Sequence, residues 1–269
     1  MAGLRHIVLF LLFHLRRAAE RFARVMVYAS AGTRQLADMQ KDNQQVWQAF
    51  YASHPSHTSR LMSWERECVD RFVRPDADVL LVGCGSGRDL VPLAKRGCRL
   101  TGIDPSDNAL AIAERTLRAH GLSATLIAGF FEDTPIHQTF DVVIFSYYSY
   151  SVIPMARRRI AALGKAASLL TAGGHVVISH ATTTSRPHPM LVRFARLTGA
   201  IAQTDWRVES GDLVWDNRRP RPSLSYTHVF EEGELEREAA AANLGVVFRR
   251  VVDDTIVVGL KRPERSGGE

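Results

Sequence analysis

The sequence predicts an α/β fold, and two observations carry that prediction. The first is a short apolar run, Val79–Val82, that ends in glycines at every second position, Gly83, Gly85 and Gly87. A helical pattern follows at once, with Leu90, Val91, Leu93 and Ala94 apolar. This is a strand, a tight turn and a helix. The second observation is a further short strand pattern, Arg99–Ile103, that ends in Asp104-Pro105-Ser106.

The residue types at these two places point to ligand binding. Glycines let the backbone turn sharply and bring its N–H groups close to a ligand, with no Cβ in the way. Cys84, inside the turn, is small for the same reason. An acid at the tip of the second strand, about 20 residues past the first glycine, is where a Rossmann-type fold hydrogen-bonds ribose hydroxyls. The alternative role for Asp104 is to cap the helix that starts near Asp107. The spacing argues against a dinucleotide. That fingerprint is G-x-G-x-x-G, and its third glycine would fall at position 88, which is Arg88. The spacing here is G-x-G-x-G.

In this respect the chain resembles the class I S-adenosylmethionine (SAM)-dependent methyltransferases. The resemblance runs from about Val79 to Lys261. Thr139–Phe145 looks like the family's fourth strand with its leading Phe-Asp. Leu170–Ser179 looks like its glycine-glycine segment and fifth strand, and Phe230 through Gly245 looks like its last helix. The resemblance implies a doubly wound, mainly parallel sheet of seven strands, the last two forming an antiparallel hairpin at Val246–Val252 and Thr255–Lys261. It implies SAM as cofactor, with Gly83, Cys84, Gly85, Gly87, Asp104, Pro105 and Ser146 as cofactor-binding residues.

Two positions depart from the family pattern. The acid usual two residues before the first glycine, which orients the methionine end of the cofactor, is Leu81 here. The acid usual after the third strand, which contacts the adenine amine, is replaced by Gly129 or Phe130. Phe130 or Phe131 is expected to pack on the adenine face, and Glu132 or Asp133 to supply the carboxylate; the other reading is that both rings are core and both acids solvated.

At 269 residues the chain accommodates one α/β domain with additions: an N-terminal helical extension over 1–74 and a SAM-binding domain over 75–269. Its 46% hydrophobic content fits a globular protein. Cys68, Cys84 and Cys98 are odd in number and lack C-x-x-C spacing, so they support neither a disulfide framework nor a zinc site and fit a reducing cytoplasm. The formal net charge is +6, and residues 1–60 hold eight Lys or Arg against three Asp or Glu, 8 − 3 = +5 of it. The remainder is nearly balanced, which argues against a nucleic-acid partner.

The basic excess lies in Gly3–Ala29, which reads as one long amphipathic helix: Leu4, Val8, Leu11, Leu15, Ala18, Phe22 and Val25 share a face. Ile7–Phe13 is apolar without interruption, and seven residues cannot span a bilayer. The helix packs on the catalytic domain, forms a homodimer, lies on a membrane surface, or serves in targeting. Asp42–Arg74 reads as one or two further helices. Their Trp47 and Tyr51 are candidate lid residues over a cofactor or core, while His54 and His57 sit in a polar loop.

Ligands of open α/β sheets sit beyond the carboxyl ends of the strands. Ser146–Pro154, His180 with Thr182–Thr184, and a long insertion from Ser185 to Thr227 end there, the last expected to form a substrate cap. Candidate general bases are His180 and Tyr147, with His188 and His228 as further choices. The segment Ser146-Tyr147-Tyr148 lacks the proline pair of amino-directed DNA methyltransferases, and no Pro-Cys nucleophile pair occurs. The expectation is methyl transfer to an oxygen or nitrogen of a small-molecule acceptor. The alternatives are a non-catalytic scaffold of the same fold and an NAD(P)-dependent oxidoreductase.

Overall fold

A computed structural model describes residues 2–53, 60–182, 185–217 and 223–263. In chain order the elements are α1 (Ala2–Gly32), α2 (Leu36–Ser53), α3 (Ser63–Phe72), β1 (Asp78–Val82), α4 (Leu90–Lys95), β2 (Arg99–Asp104) and α5 (Asp107–Ala119). They continue with β3 (Thr125–Ala128), β4 (Phe140–Phe145), a 3₁₀ turn at Ser149–Val152, α6 (Ala156–Ser168) and β5 (Leu170–Ala181). Last come α7 (Pro189–Ala202), β6 (Asp212–Asp216), β7 (Leu224–His228), α8 (Glu234–Ala241), β8 (Gly245–Val252) and β9 (Thr255–Lys261).

Seven strands form one sheet in the order β3-β2-β1-β4-β5-β9-β8. The first five are parallel, and β9 runs antiparallel to both β5 and β8. The expected seven-stranded doubly wound sheet with its closing hairpin is therefore present. The order reverses between β1 and β4, so their carboxyl ends open the crevice where such sheets bind ligands. Strand β1 is apolar throughout because both its faces are covered. Leu80 and Val82 point into a core with Phe145, Ile178, Leu163 and Leu235, whereas Val79 and Leu81 point into a second core with Trp64, Leu90, Ile144 and Val177.

The chain divides into two compact units. One is residues 43–185 with 227–269, which holds the seven-stranded sheet; the other is residues 1–42 with 186–226. In the second unit the last turns of α1 pack on α7, and β6 pairs with β7 as a separate two-stranded sheet. The contact is close. A Cβ added to Gly32 would lie 2.0 Å from the Ala195 carbonyl oxygen, and the Thr198 hydroxyl donates to the Ala29 carbonyl at 3.0 Å. Tyr28 is buried and donates its hydroxyl to the Asp212 carbonyl at 2.8 Å. The insertion anticipated at 185–227 is thus the partner of the N-terminal helix. Thr183, Thr184, His54, His57 and the Arg218–Pro222 run lie outside the described residues.

Candidate functional site

The glycine turn is a backbone structure with all three glycines at positive φ: Gly83 at 72°, Gly85 at 53° and Gly87 at 85°. Two of the glycines are also required by space. A Cβ on Gly83 would meet the Ser149 Cβ at 2.6 Å, and one on Gly87 would meet the Ala113 Cβ at 3.0 Å. The amides of Gly83 and Cys84 donate to the Ile103 carbonyl on β2, and that of Gly87 donates to the Cys84 carbonyl. The Cys84 thiol is buried against Gly102, and burial pushes its pKa well up. Cys84 therefore serves the turn by being small and neutral.

Asp104 ties this turn to the end of β2. Its Oδ2 accepts from the Gly85 amide and its Oδ1 from the Ser106 amide, both at 2.9 Å. The carboxyl is buried, and burial raises its pKa to about 6 against the lowering effect of those two amides. Each oxygen keeps a lone pair for a further donor. The N-cap of α5 is Ser106, which accepts from the Ala109 amide, so Asp104 is not held there for capping. Pro105 follows with its carbonyl taken by Gln44 of α2 at 2.6 Å.

Helix α2 reaches the turn through Tyr51. A Cβ on Gly85 would lie 2.3 Å from the Tyr51 hydroxyl oxygen, and that hydroxyl takes a hydrogen bond from the Ser86 amide. Burial holds the phenol far above its usual range, with Asp104, Cys84 and Asp89 nearby adding to the effect. Trp47 packs beside Tyr51, ring centroids 6.1 Å apart. Tyr51 thus packs its hydroxyl against the turn at Gly85 and Ser86.

A second buried carboxylate, Asp89, lies on the other side of the turn. Ser146 donates its hydroxyl to Asp89 Oδ2, and the Arg88 guanidinium reaches Asp89 Oδ1 at 3.0 Å while also pairing with Glu65. Burial raises the Asp89 pKa, and repulsion from Glu65 adds to it against the pull of Arg88 and the Ser146 hydroxyl. Leu81, Glu65 and Asp89 line one small cavity, so an acid stands beside the position where the family pattern has one.

At the carboxyl end of β4 the backbone leaves its usual range. Tyr147 and Tyr148 are both at positive φ, 38° and 62°. Two bulky residues in this region are strained, a condition that clusters at functional sites. Their rings stack at 4.9 Å; Tyr147 is exposed beside Arg88, while the Tyr148 hydroxyl meets Thr255 Oγ1 at 2.6 Å. His180, at the end of β5, is buried with its Nδ1 3.2 Å from the Ala181 carbonyl and its ring 5.1 Å from that of Phe230. Burial lowers its pKa, so it is neutral at pH 7.

The remaining candidates have structural duties. Phe131 is core: its ring is buried edge-on to Phe145 under the Lys165 ammonium, which leaves half-buried Phe130 as the aromatic at the end of β3. Glu132 and Asp133 both pair with Arg158. His228 is buried with its Nε2 3.0 Å from Glu234 and 3.4 Å from Arg159, whose guanidinium is held by Glu238. His188 caps α7, its Nδ1 accepting from the Met190 amide.

Comparison with known proteins agrees with this geometry. Residues 79–174 match the family model described as a methyltransferase domain. The DhpI protein solved with SAH has a TM-score of 0.61 at 16% identity, covering 85% of this chain and 99% of that one. The CcbJ methyltransferase from Streptomyces caelestis has a TM-score of 0.58 at 17% identity over 73% of this chain and 88% of that one. A ubiquinone biosynthesis O-methyltransferase from Rhizobium leguminosarum bv. trifolii is 37% identical over 67 residues, 24% of this chain. The match spans only 27% of that relative's length. Residues 79–174 thus match a methyltransferase domain, and the seven-stranded sheet has the fold of the SAM-dependent methyltransferases it resembles.

Proposed function

We propose that the chain transfers a methyl group from SAM to an oxygen or nitrogen atom of a small-molecule acceptor in the cytoplasm. The observation that carries this reading is Asp104. It sits at the tip of β2, joined to the Gly85 amide, with acceptor capacity left for two adjacent hydroxyls. The residues fit the cofactor. At Gly85 the absence of a Cβ leaves room beside the turn that the Tyr51 hydroxyl reaches, and Asp104 stands next to it.

When bound, SAM supplies a methyl group on a sulfonium, already a good leaving group. The protein's task is alignment, for which positioning alone contributes roughly 7–11 kcal/mol in favourable cases. In this reading Asp104 orients the ribose, and the Asp89–Ser146 pair takes the methionine ammonium in place of the acid missing at Leu81. Half-buried Phe130 supports the adenine. Neutral His180 accepts the proton that an acceptor hydroxyl or amine gives up, and Tyr147 lines the entry beside it.

The test is calorimetric titration with S-adenosylhomocysteine and with NAD, followed by transfer of tritiated methyl to a small-molecule panel. Binding of S-adenosylhomocysteine without NAD is the expected result. Binding of NAD alone would overturn the reading, and cofactor binding with no methyl transfer to any acceptor would favour a scaffold.

A further inference from the structure

The two ends of α1 have opposite surroundings. Its last turns are anchored on α7 and β6 through Tyr28, Ala29 and Gly32. Residues 5–20 are exposed on every side. Within that stretch Ile7–Phe13 is apolar in every position, each side chain 46–65% exposed. Successive residues of a helix are turned by about 100°, so seven in a row leave two full turns with no polar face. After this apolar tip the character changes. Arg16, Arg17, Arg21 and Arg24 follow within three turns, with Glu20 as the one acid among them.

We propose that this helix and its compact unit form a docking site for an anionic lipid surface. An apolar coat on all sides is not satisfied by a second copy of the helix, because pairing two helices covers one face of each. It is satisfied by a medium that surrounds the tip. The tip is roughly 10 Å long, well short of the ~30 Å hydrocarbon core, so it enters one leaflet rather than crossing. No described helix is long and apolar enough to cross a membrane. The arginine collar then lies at headgroup depth, its long stems reaching back along the apolar surface.

The same unit carries a second exposed apolar stripe. Met190, Phe194, Leu197 and Ile201 are spaced by four, three and four along α7 and share one face, and all are exposed, Ile201 most at 76%. The face of α7 that holds Val192 and Ala195 is buried. The stripe lies on α7, which packs on the far end of α1, so the tip rather than the stripe is the part that enters the leaflet.

The experiment is co-sedimentation of the full chain with vesicles of phosphatidylcholine alone and of phosphatidylcholine mixed with phosphatidylglycerol. The expected result is binding to the anionic vesicles. Phe10→Glu with Phe13→Glu should abolish it. Replacing Arg16, Arg17, Arg21 and Arg24 by Gln should weaken it by at least ~100-fold, since each such charge contributes about fivefold. Leu197→Gln with Ile201→Gln should weaken it by less. All these positions are exposed, so unchanged thermal unfolding checks that the fold is intact. Absence of sedimentation with either vesicle would overturn the proposal, as would variants that bind like the parent. So would a dimer in light scattering that withholds the helix from vesicles and that Phe10→Glu with Phe13→Glu converts to monomer.

Discussion

The two halves of the site are built differently. On the cofactor side, position is set by backbone: three glycines at positive φ, amides donating to Ile103 and Asp104, and one carboxylate that joins the turn to β2. On the proposed acceptor side it is set by side chains, with Tyr147 and Tyr148 at strained φ and His180 packed against Phe230. Backbone geometry constrains which residues are allowed, so the first half tolerates little substitution. Side-chain lining varies with the acceptor, so the second half carries what is particular to this chain.

The largest effect should come from the acceptor side. His180→Gln is expected to lower kcat by about 10²–10⁴-fold while leaving S-adenosylhomocysteine affinity unchanged, the signature of a base that acts only in the chemical step. Equal loss in binding would show instead that His180 holds the site together. Because burial lowers its pKa below the usual 6.5, the rate should hold near pH 7 and fall only as acid protonates the ring.

On the cofactor side, Asp104→Ala should weaken S-adenosylhomocysteine binding by about 1–3 kcal/mol, and it also strands the Gly85 and Ser106 amides. Unchanged affinity would remove the strongest support for the reading. The same carboxyl gives a pH test. Its pKa is raised to about 6, so it is ionised above that value and gains a proton as pH falls through it. Affinity should therefore decline below about pH 6, by roughly tenfold per unit once well below, and Asp104→Asn should flatten the slope. Asp89→Asn tests the other end of the cofactor. It should cost about tenfold for S-adenosylhomocysteine and nothing for methylthioadenosine, which lacks the amino-acid portion. Equal losses for both ligands would place Asp89 in structure alone.

The difference between the halves also explains what could be read in the sequence. The glycine turn, Asp104 and the strands β1, β2, β4 and β5 leave patterns along the chain, because each rests on local residue spacing; β3 leaves none, and the count of seven comes from the resemblance. Asp89 leaves no such pattern, because its meaning depends on Leu81 beside it and on Ser146, 57 residues later. Phe130 and Phe131 are adjacent in sequence, and only packing against Phe145 separates core from rim. The pairing of the 186–226 segment with α1 is likewise a long-range fact. Positive φ at Tyr147 and Tyr148 had no signal at all, since tyrosine is a poor choice for that region.

The smallest expected effect is the one that joins the two descriptions. Tyr51 belongs to a helix, yet its hydroxyl takes the amide of the turn at Ser86. Side chain here competes with ligand for a backbone donor. Tyr51→Phe keeps the ring and its packing on Trp47 but gives up that hydrogen bond. If Tyr51 is displaced when cofactor binds, the variant should bind S-adenosylhomocysteine more tightly, by about 0.5–1.5 kcal/mol, because no bond must be exchanged first. If instead the hydroxyl stays and touches the cofactor, the same substitution weakens binding by a similar amount. The sign, read by calorimetry, decides whether α2 shields the empty turn or completes the filled one.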